Sequence, residues 1–336
     1  MVKYPPYEIT DKMLEYISKI MEKVGEINSY TNLSRMPELR RQNRINSIHS
    51  SLAIENNQLS EKEVRDIIDG HMVIGDKNDI QEVKNAYEAY ENIAKINPYS
   101  IDELKRIHSI MTFLIVEGNG KFRNHGEGVF DGDECIFMAP PENMVPQLME
   151  QLFTWLNEAK DKVHPLILSS VFHYEFVFIH PFSDGNGRMA RIWQTAILSK
   201  WKEVFEYVPI ESLIKKYQSE YYDAISNCNK VGNSNEFIEF MLKMIDETLE
   251  QLLKDSQEIK LGNEFGELGN LNETEKIVLR FIAEKELVST SEISRYIGKT
   301  DRTARRIVAK LEESGLIIWE GMSEKDPNKK YKLKMS

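Results

Sequence analysis

The chain has 336 residues, 41% of them hydrophobic and 29% charged, with a formal net charge of -11. That length accommodates two or three domains with cores of their own, and the acidity excludes a protein that coats nucleic acid over its whole surface, so any such contact has to be local. Cys135 and Cys228 lack metal-ligand spacing and are too few for a disulfide framework, which points to a reducing cytoplasm. The opening MVKYPPYEITDK has no apolar signal core, and the most apolar stretch, HPLILSSVFHYEFVFIHPF, is interrupted by His173 and Glu175, so no membrane span is expected.

Helical periodicity dominates the first hundred residues. In DKMLEYISKIMEKVGEI, Met13, Leu14, Ile17, Ile20 and Met21 recur at three- and four-residue spacing and predict one apolar stripe. The segment RINSIHSSLAIENNQLS predicts a helix with Ile45, Ile48 and Leu52 on one face, ended by a left-handed cap at Asn56-Asn57, so that Glu55 sits at its C-terminal end. An anion there opposes the helix dipole and has to seek a cation elsewhere. In GEGVFDGDECIFMAPPENM, Asp131-Gly132 lies between two short apolar runs and Pro140-Pro141 closes the second, which predicts a small hairpin flap.

The segment FIHPFSDGNGRMAR carries the densest chemistry. LILSSVFHYEFVFIH predicts a buried helix ended by His180, because a residue before proline is biased away from helical dihedrals. After the loop, GRMARIWQTAILSKW predicts a second helix with Ile192, Trp193, Ala196 and Ile197 in the core. Free N–H groups at its start favour an anion, and the glycines let a phosphate approach the main chain. Arg188 and Arg191, cations in the first turns, oppose the dipole by about 0.3–1 kcal/mol each unless a polyphosphate binds there. Asp184 offers a hard oxygen suited to Mg²⁺, and an imidazole beside the phosphates can take a proton from an incoming hydroxyl. Taken singly, His180 reads as a packed core histidine and the Gly-x-Gly as a turn. Together they suit attack on a nucleotide phosphate.

The stretch HPFSDGNGR resembles the signature of Fic-domain proteins, His-Pro-Phe-any-Asp/Glu-Gly-Asn-Gly/Lys-Arg, at every specified position. LKRIHSIM, GKFRN, APPENMVPQLMEQLFTWLN and YYDAISNCNKVGNSNEFIEFML are also similar to that family, over about residues 100 to 245. The resemblance implies transfer of AMP from ATP to a protein hydroxyl. It implies His180 as general base, Asp184 as Mg²⁺ ligand, and Gly185, Asn186 and Gly187 as an anion hole. It further implies that Arg188 and Arg191 hold the β- and γ-phosphates, with Met189 and Ala190 in the same nucleotide-binding run, and that Tyr221, Tyr222 and Asn229 lie at the adenosine. On the residues alone, those tyrosines read equally as helix packing. The flap, in the family, adds its edge to the target segment as a strand.

SSLAIEN is similar to the family's inhibitory helix motif, Ser/Thr-x-x-x-Glu-Gly/Asn, here Ser51, Glu55 and Asn56. The resemblance implies that Glu55 pairs with Arg191 and blocks productive γ-phosphate placement. In some relatives the same glutamate positions a water that removes AMP from modified targets.

The polar stretch KDSQEIKLGNEFGELGNLNE reads as a linker. Beyond it, three short amphipathic helices, with Thr290 and Thr300 as N-caps of the second and third, precede an apolar strand and a lysine-bearing tail, the pattern of a winged helix. Arg302, Arg305, Arg306 and Lys310 on the third helix are placed to touch DNA phosphates, while Asp301, Glu312 and Glu313 dilute that patch; dimerisation or target docking are alternative uses. The expected organisation is a mainly α protein: an N-terminal helical region (1–98), a Fic helical core with its hairpin flap (99–250), a linker (251–271) and a winged-helix domain (272–336). Three readings stay open: a self-inhibited AMP transferase using ATP and Mg²⁺, a DNA-binding regulator whose core senses nucleotide, and an enzyme moving another phosphate-containing group.

Overall fold

The computed structural model describes residues 5–27, 36–131, 134–265, 271–285, 287–320 and 329–334. Its packing divides into two compact units, with the boundary between Gln251 and Leu252.

In the first unit, α1 (Asp11–Glu26) is capped by Thr10, whose side chain accepts from the Met13 N–H. Its buried face is Met13, Ile20 and Val24, while Leu14 and Met21 of the expected stripe are exposed. The stripe is therefore one four-three-four row, narrower than five apolar residues suggested. Helices α2 (Pro37–Ile54), α3 (Glu61–Ile68), α4 (Lys77–Glu91) and α5 (Ile101–Met111) follow. In α2, Ile45, Ile48 and Leu52 are buried as expected, and Ser47, Ser50 and Ser51 are buried beside them. Asn56 ends the helix with φ 68°, the left-handed stop that its sequence predicts.

Strands β1 (Gly128–Asp131) and β2 (Glu134–Met138) pair antiparallel, Gly128 opposite Met138, with a bulge after Val129; Gly132 of the expected turn lies outside the described residues. The core follows: α6 (Val145–Ala159), α7 (Pro165–Ile179), α8 (Asn186–Trp201), α9 (Ile210–Lys216), α10 (Gln218–Val231) and α11 (Asn235–Phe265). Helix α7 is buried nearly all round, and Trp193 of α8, fully buried, donates to the Pro98 carbonyl at 3.0 Å. Residues 251–265 of the expected linker are helical, continuing α11, where Ile245, Leu249 and Leu252 keep a buried row into the polar stretch.

The second unit, which begins within α11 at Leu252, contains α12 (Glu273–Lys285), β3 (Val288–Ser289), α13 (Thr290–Tyr296), α14 (Asp301–Glu313), β4 (Ile317–Glu320) and β5 (Lys330–Leu333), with an antiparallel sheet in the order β3-β5-β4. A sheet of that order beside three helices is consistent with a wing. Ser289, not Thr290, caps α13: Ser289 accepts from the Glu292 N–H while Glu292 accepts from Ser289, a reciprocal box that Thr290 could not close with Ile293. Thr300 caps α14 as expected. Val278, Leu279, Ile282, Ile293, Ala304, Val308 and Leu311 form the unit's core. Among the described residues, no helix is long and apolar enough to cross a membrane.

Leu279→Ala is expected to destabilise the second unit by about 2–5 kcal/mol, the range for deleting a buried leucine side chain. Amide hydrogen exchange checks this: α14 loses protection while α8 keeps its own.

Candidate active site

His180 ends α7, but not in the extended conformation usual before proline: its φ is 50° and ψ 61°, in the left-handed region. Arg123 holds it there, donating from Nε to the His180 carbonyl at 2.7 Å. Burial lowers the imidazole pKa, opposed by Glu127 and by a hydrogen bond to the Val177 carbonyl, so the ring is neutral at neutral pH. A neutral imidazole keeps one nitrogen unprotonated, with the lone pair that a general base requires.

The loop after His180 is braced from within. Asn186 accepts from the Phe182 N–H at 2.9 Å and donates to the Phe182 carbonyl at 2.7 Å, so its side chain closes the loop and only its main chain remains for an anion. Gly185 turns into α8 with φ 77°, where a side chain would also press on Thr112. His108, to which the sequence assigns no role, stacks on Phe182 at 3.6 Å between centroids; it accepts from the Gly120 N–H at 2.8 Å and bonds the Asp184 carbonyl at 3.0 Å. The acceptor at Nδ1 fixes the proton on Nε2. Burial pushes His108 down to about 4.

Both arginines are only 2% exposed and both are paired with carboxylates. Arg191 donates from Nη2 to Glu55 at 2.7 Å and to the Ser51 carbonyl at 2.9 Å, and from Nε to the Ser51 hydroxyl at 3.0 Å. The Glu55 carboxylate lies so close to the α8 backbone that a Cβ at Gly187 would come within 2.2 Å of it. An anion at the unfavourable end of its own helix thus occupies the favourable end of another. Arg188 pairs with Asp184 at 3.0 Å and with Glu82 of α4 at 2.7 Å, and Glu82 also accepts from Asn57 at 2.9 Å. Sequence reasoning missed Glu82; the signal was a cation in a first helical turn, which demands a carboxylate without naming one.

The chain that follows Ser51 is also polar. Tyr90 donates to Glu211 at 2.7 Å, and Ser47 donates to the other Glu211 oxygen at 2.9 Å. Glu211 is buried, and desolvation raises its pKa. Ser50 and Ser212 lie 3.2 Å apart, and Gln218 donates to the Ile54 carbonyl at 3.1 Å, so α2 is tied along its length to α9 and α10.

The residues expected at an adenosine are divided. Tyr221 is buried and shares a 2.9 Å hydrogen bond with His173, whose other nitrogen meets Gln194 at 2.6 Å. Tyr222 beside it is 48% exposed, and Asn229 accepts from Tyr174 at 2.9 Å. Met189 and Ala190 are fully buried, so their side chains pack into the core. Asp184 is half-exposed, with Oδ1 engaged by the Gly185 N–H and Arg188, a hard-oxygen donor suited to Mg²⁺ beside phosphates. In the second unit, Arg302, Arg305 and Arg306 are exposed, whereas Lys310 is paired with Glu275 at 2.7 Å.

A sequence profile of the Fic/DOC family matches residues 98–198. A protein named protein adenylyltransferase Fic from Aedes aegypti is 29% identical over 226 residues, 64% of this chain and 43% of that protein. Its namesake from Nematostella vectensis is 29% identical, covering 65% of this chain and 50% of that protein, so the chain spans half or less of these relatives' length. A crystal structure of a Fic family protein from Desulfovibrio desulfuricans G20 superposes with a TM-score of 0.73 at 32% identity, over 99% of this chain and 98% of that one. A structure of Fic-1 from C. elegans shares the fold over 72% of each chain, with a TM-score of 0.60 at 23% identity.

The depressed His108 value carries a pH dependence. Between 6.5 and about 4, the unfolded chain takes up a proton that the folded chain refuses, so stability present above pH 6.5 is lost on acidification. The loss amounts to about 3 kcal/mol at 1.36 kcal/mol per unit. Urea unfolding across that range is expected to show a shallower fall in His108→Gln, whose amide can keep both hydrogen bonds without titrating.

Proposed function

The chain belongs to the Fic family, and on that premise we propose that it is a protein adenylyltransferase, transferring AMP from ATP to a Ser, Thr or Tyr hydroxyl of another protein and inhibited by its own Glu55. The observation that carries the reading is the Glu55 carboxylate on Arg191 at 2.7 Å, against the N-terminus of α8. Two buried guanidiniums and a helix N-terminus attract a polyanion, and a side chain of the same protein competes for that position.

In the proposed reaction the target hydroxyl loses its proton to the free nitrogen of His180. Its oxygen forms a bond to the α-phosphorus of ATP as the bond to the bridging oxygen of the β-phosphate breaks, and pyrophosphate departs. Arg188 and Arg191 hold the β- and γ-phosphates, and the main chain of Gly185, Asn186 and Gly187 faces developing negative charge. Asp184 would hold Mg²⁺, which when bound neutralises phosphate charge. Tyr222 and Asn229 are the residues assigned to the adenosine, with Tyr221 supporting them from the core. Arg191 cannot serve Glu55 and a γ-phosphate equally, which is the basis of inhibition. The same carboxylate could orient water to remove AMP from a modified target.

A second reading is favoured by one observation: Arg302, Arg305 and Arg306 are exposed on α14 and, among the described residues, have no ion-pair partner. In that reading the second unit is a winged helix that binds DNA phosphates while the core senses nucleotide; Lys310, engaged by Glu275, contributes less than the three arginines.

Glu55→Gly, incubated with ATP and Mg²⁺, is expected to gain mass in adenylate steps by self-modification, and Glu55→Gly/His180→Ala to gain none. No gain in the single variant, despite measurable ATP binding, would count against the transferase. Arg305→Glu/Arg306→Glu is expected to weaken any salt-dependent DNA binding at least tenfold and to reduce its salt slope by about 2; an unchanged slope in a filter-binding titration would remove α14 from DNA contact.

A further inference from the structure

Arg123 is 4% exposed and lies in no helix or strand. A buried guanidinium costs several kcal/mol unless its donors are engaged. Here the engagement is with main-chain carbonyls. Nε donates to the His180 carbonyl at 2.7 Å and Nη1 to the His125 carbonyl at 2.7 Å; Nη2 reaches the Pro140 carbonyl at 2.5 Å and the Ile179 carbonyl at 3.4 Å. The Arg123 N–H donates to the Pro181 carbonyl at 2.9 Å. One residue therefore grips both sides of the turn that presents His180.

The other two carbonyls belong to the flap. His125 precedes β1 and Pro140 follows β2, and between them the Ala139 N–H donates to the Glu127 carbonyl at 3.0 Å, closing the base of the hairpin. The guanidinium is planar, with donors in a fixed fork, so it holds these carbonyls at set spacings. It also places a cation at the C-terminal end of α7, where the last carbonyls lack intrahelical partners. His180 is a non-glycine residue at φ 50°, a conformation that persists only when its surroundings enforce it.

We propose that Arg123 is a positioning residue that fixes the base of the flap to the His180 turn, and so sets the distance between a target segment lying along the flap and the nitrogen that takes its proton. The inference rests on the adenylyltransferase reading for its consequence, but the fastening itself is geometric. Arg123 touches neither Arg188 nor Arg191, so its loss acts on transfer and not on ATP binding.

The test is Arg123→Lys in the Glu55→Gly background. Lysine keeps the cation and the stem but has one nitrogen, which cannot span four carbonyls. Self-modification, followed by intact mass at saturating ATP, is expected to slow about 100-fold, the cost of a misplacement on the order of 1 Å. Calorimetric affinity for ATP is expected to stay within twofold. Equal rates, or ATP affinity lost in step with rate, would overturn the proposal. If Glu55→Gly itself gains no mass, the transferase reading is what fails, and the fastening is decided by amide exchange. Arg123→Lys then loses protection at His180 and Ala139 while α8 keeps its own; unchanged protection overturns it. Should the variant not fold, the unaltered protein decides: the amides of Arg123, Ala139 and His180 share one opening free energy if they are fastened together, and different opening energies sink the idea.

Discussion

A guanidinium buried at the positive end of a helix has to find a negative charge. Arg188 and Arg191 are both in that position, and the surrounding structure is arranged to supply the anions. Glu55 arrives from the end of α2 and Glu82 from α4, while Asp184 comes from the loop itself. The glycine at 187 follows from the same demand, because Glu55 reaches Arg191 only by lying against bare backbone. A phosphate chain would satisfy the same guanidiniums, so phosphate and carboxylate are alternative partners for one cation, and the proposed self-inhibition rests on that competition.

That competition is meaningful only if α2 is held at a defined distance. Its buried face is partly serine, and the hydroxyls meet a carboxylate, an arginine and another hydroxyl instead of apolar side chains. Hydrogen bonds are directional where hydrophobic contact is not, so a polar face fixes the helix along its axis as well as against it. The buried Glu211 anchors this face through Tyr90 and Ser47, and its raised pKa reflects what desolvation costs there. A ligand that displaces Glu55 therefore works against a helix that remains fastened behind it.

The turn at His180 is governed by a different constraint. His180 sits in a left-handed conformation at the end of a helix buried nearly all round, with a ring that burial keeps neutral. His108, stacked beneath Phe182, and Asn186, folded back on the loop, hold the following residues from inside. His180, the loop that follows it and the base of the flap are thus each tied to main-chain atoms, which move less than side chains do.

The local elements were largely legible in the sequence. The cap at Asn56, the end of α7 at His180, the hairpin before the paired prolines and the core face of α8 follow from short-range chemistry: proline sterics, left-handed asparagine, and helical spacing of apolar residues. The candidate loop was legible for the same reason, since its residues are contiguous and their misfit with the helix dipole is visible without a fold. The stripe of α1 is narrower than its five apolar residues predict, and Ser289 caps α13 in place of Thr290 because only Ser289 has a glutamate, Glu292, three residues on to return its bond. The partners were not legible. Glu82 lies 106 residues from Arg188 and Glu211 lies 164 from Ser47, and the carbonyls around Arg123 are backbone atoms that every residue possesses. Sequence determined which groups need a partner, because charge and propensity are local properties; tertiary structure decided which partner each one receives, because only packing brings distant carboxylates and carbonyls within hydrogen-bond reach.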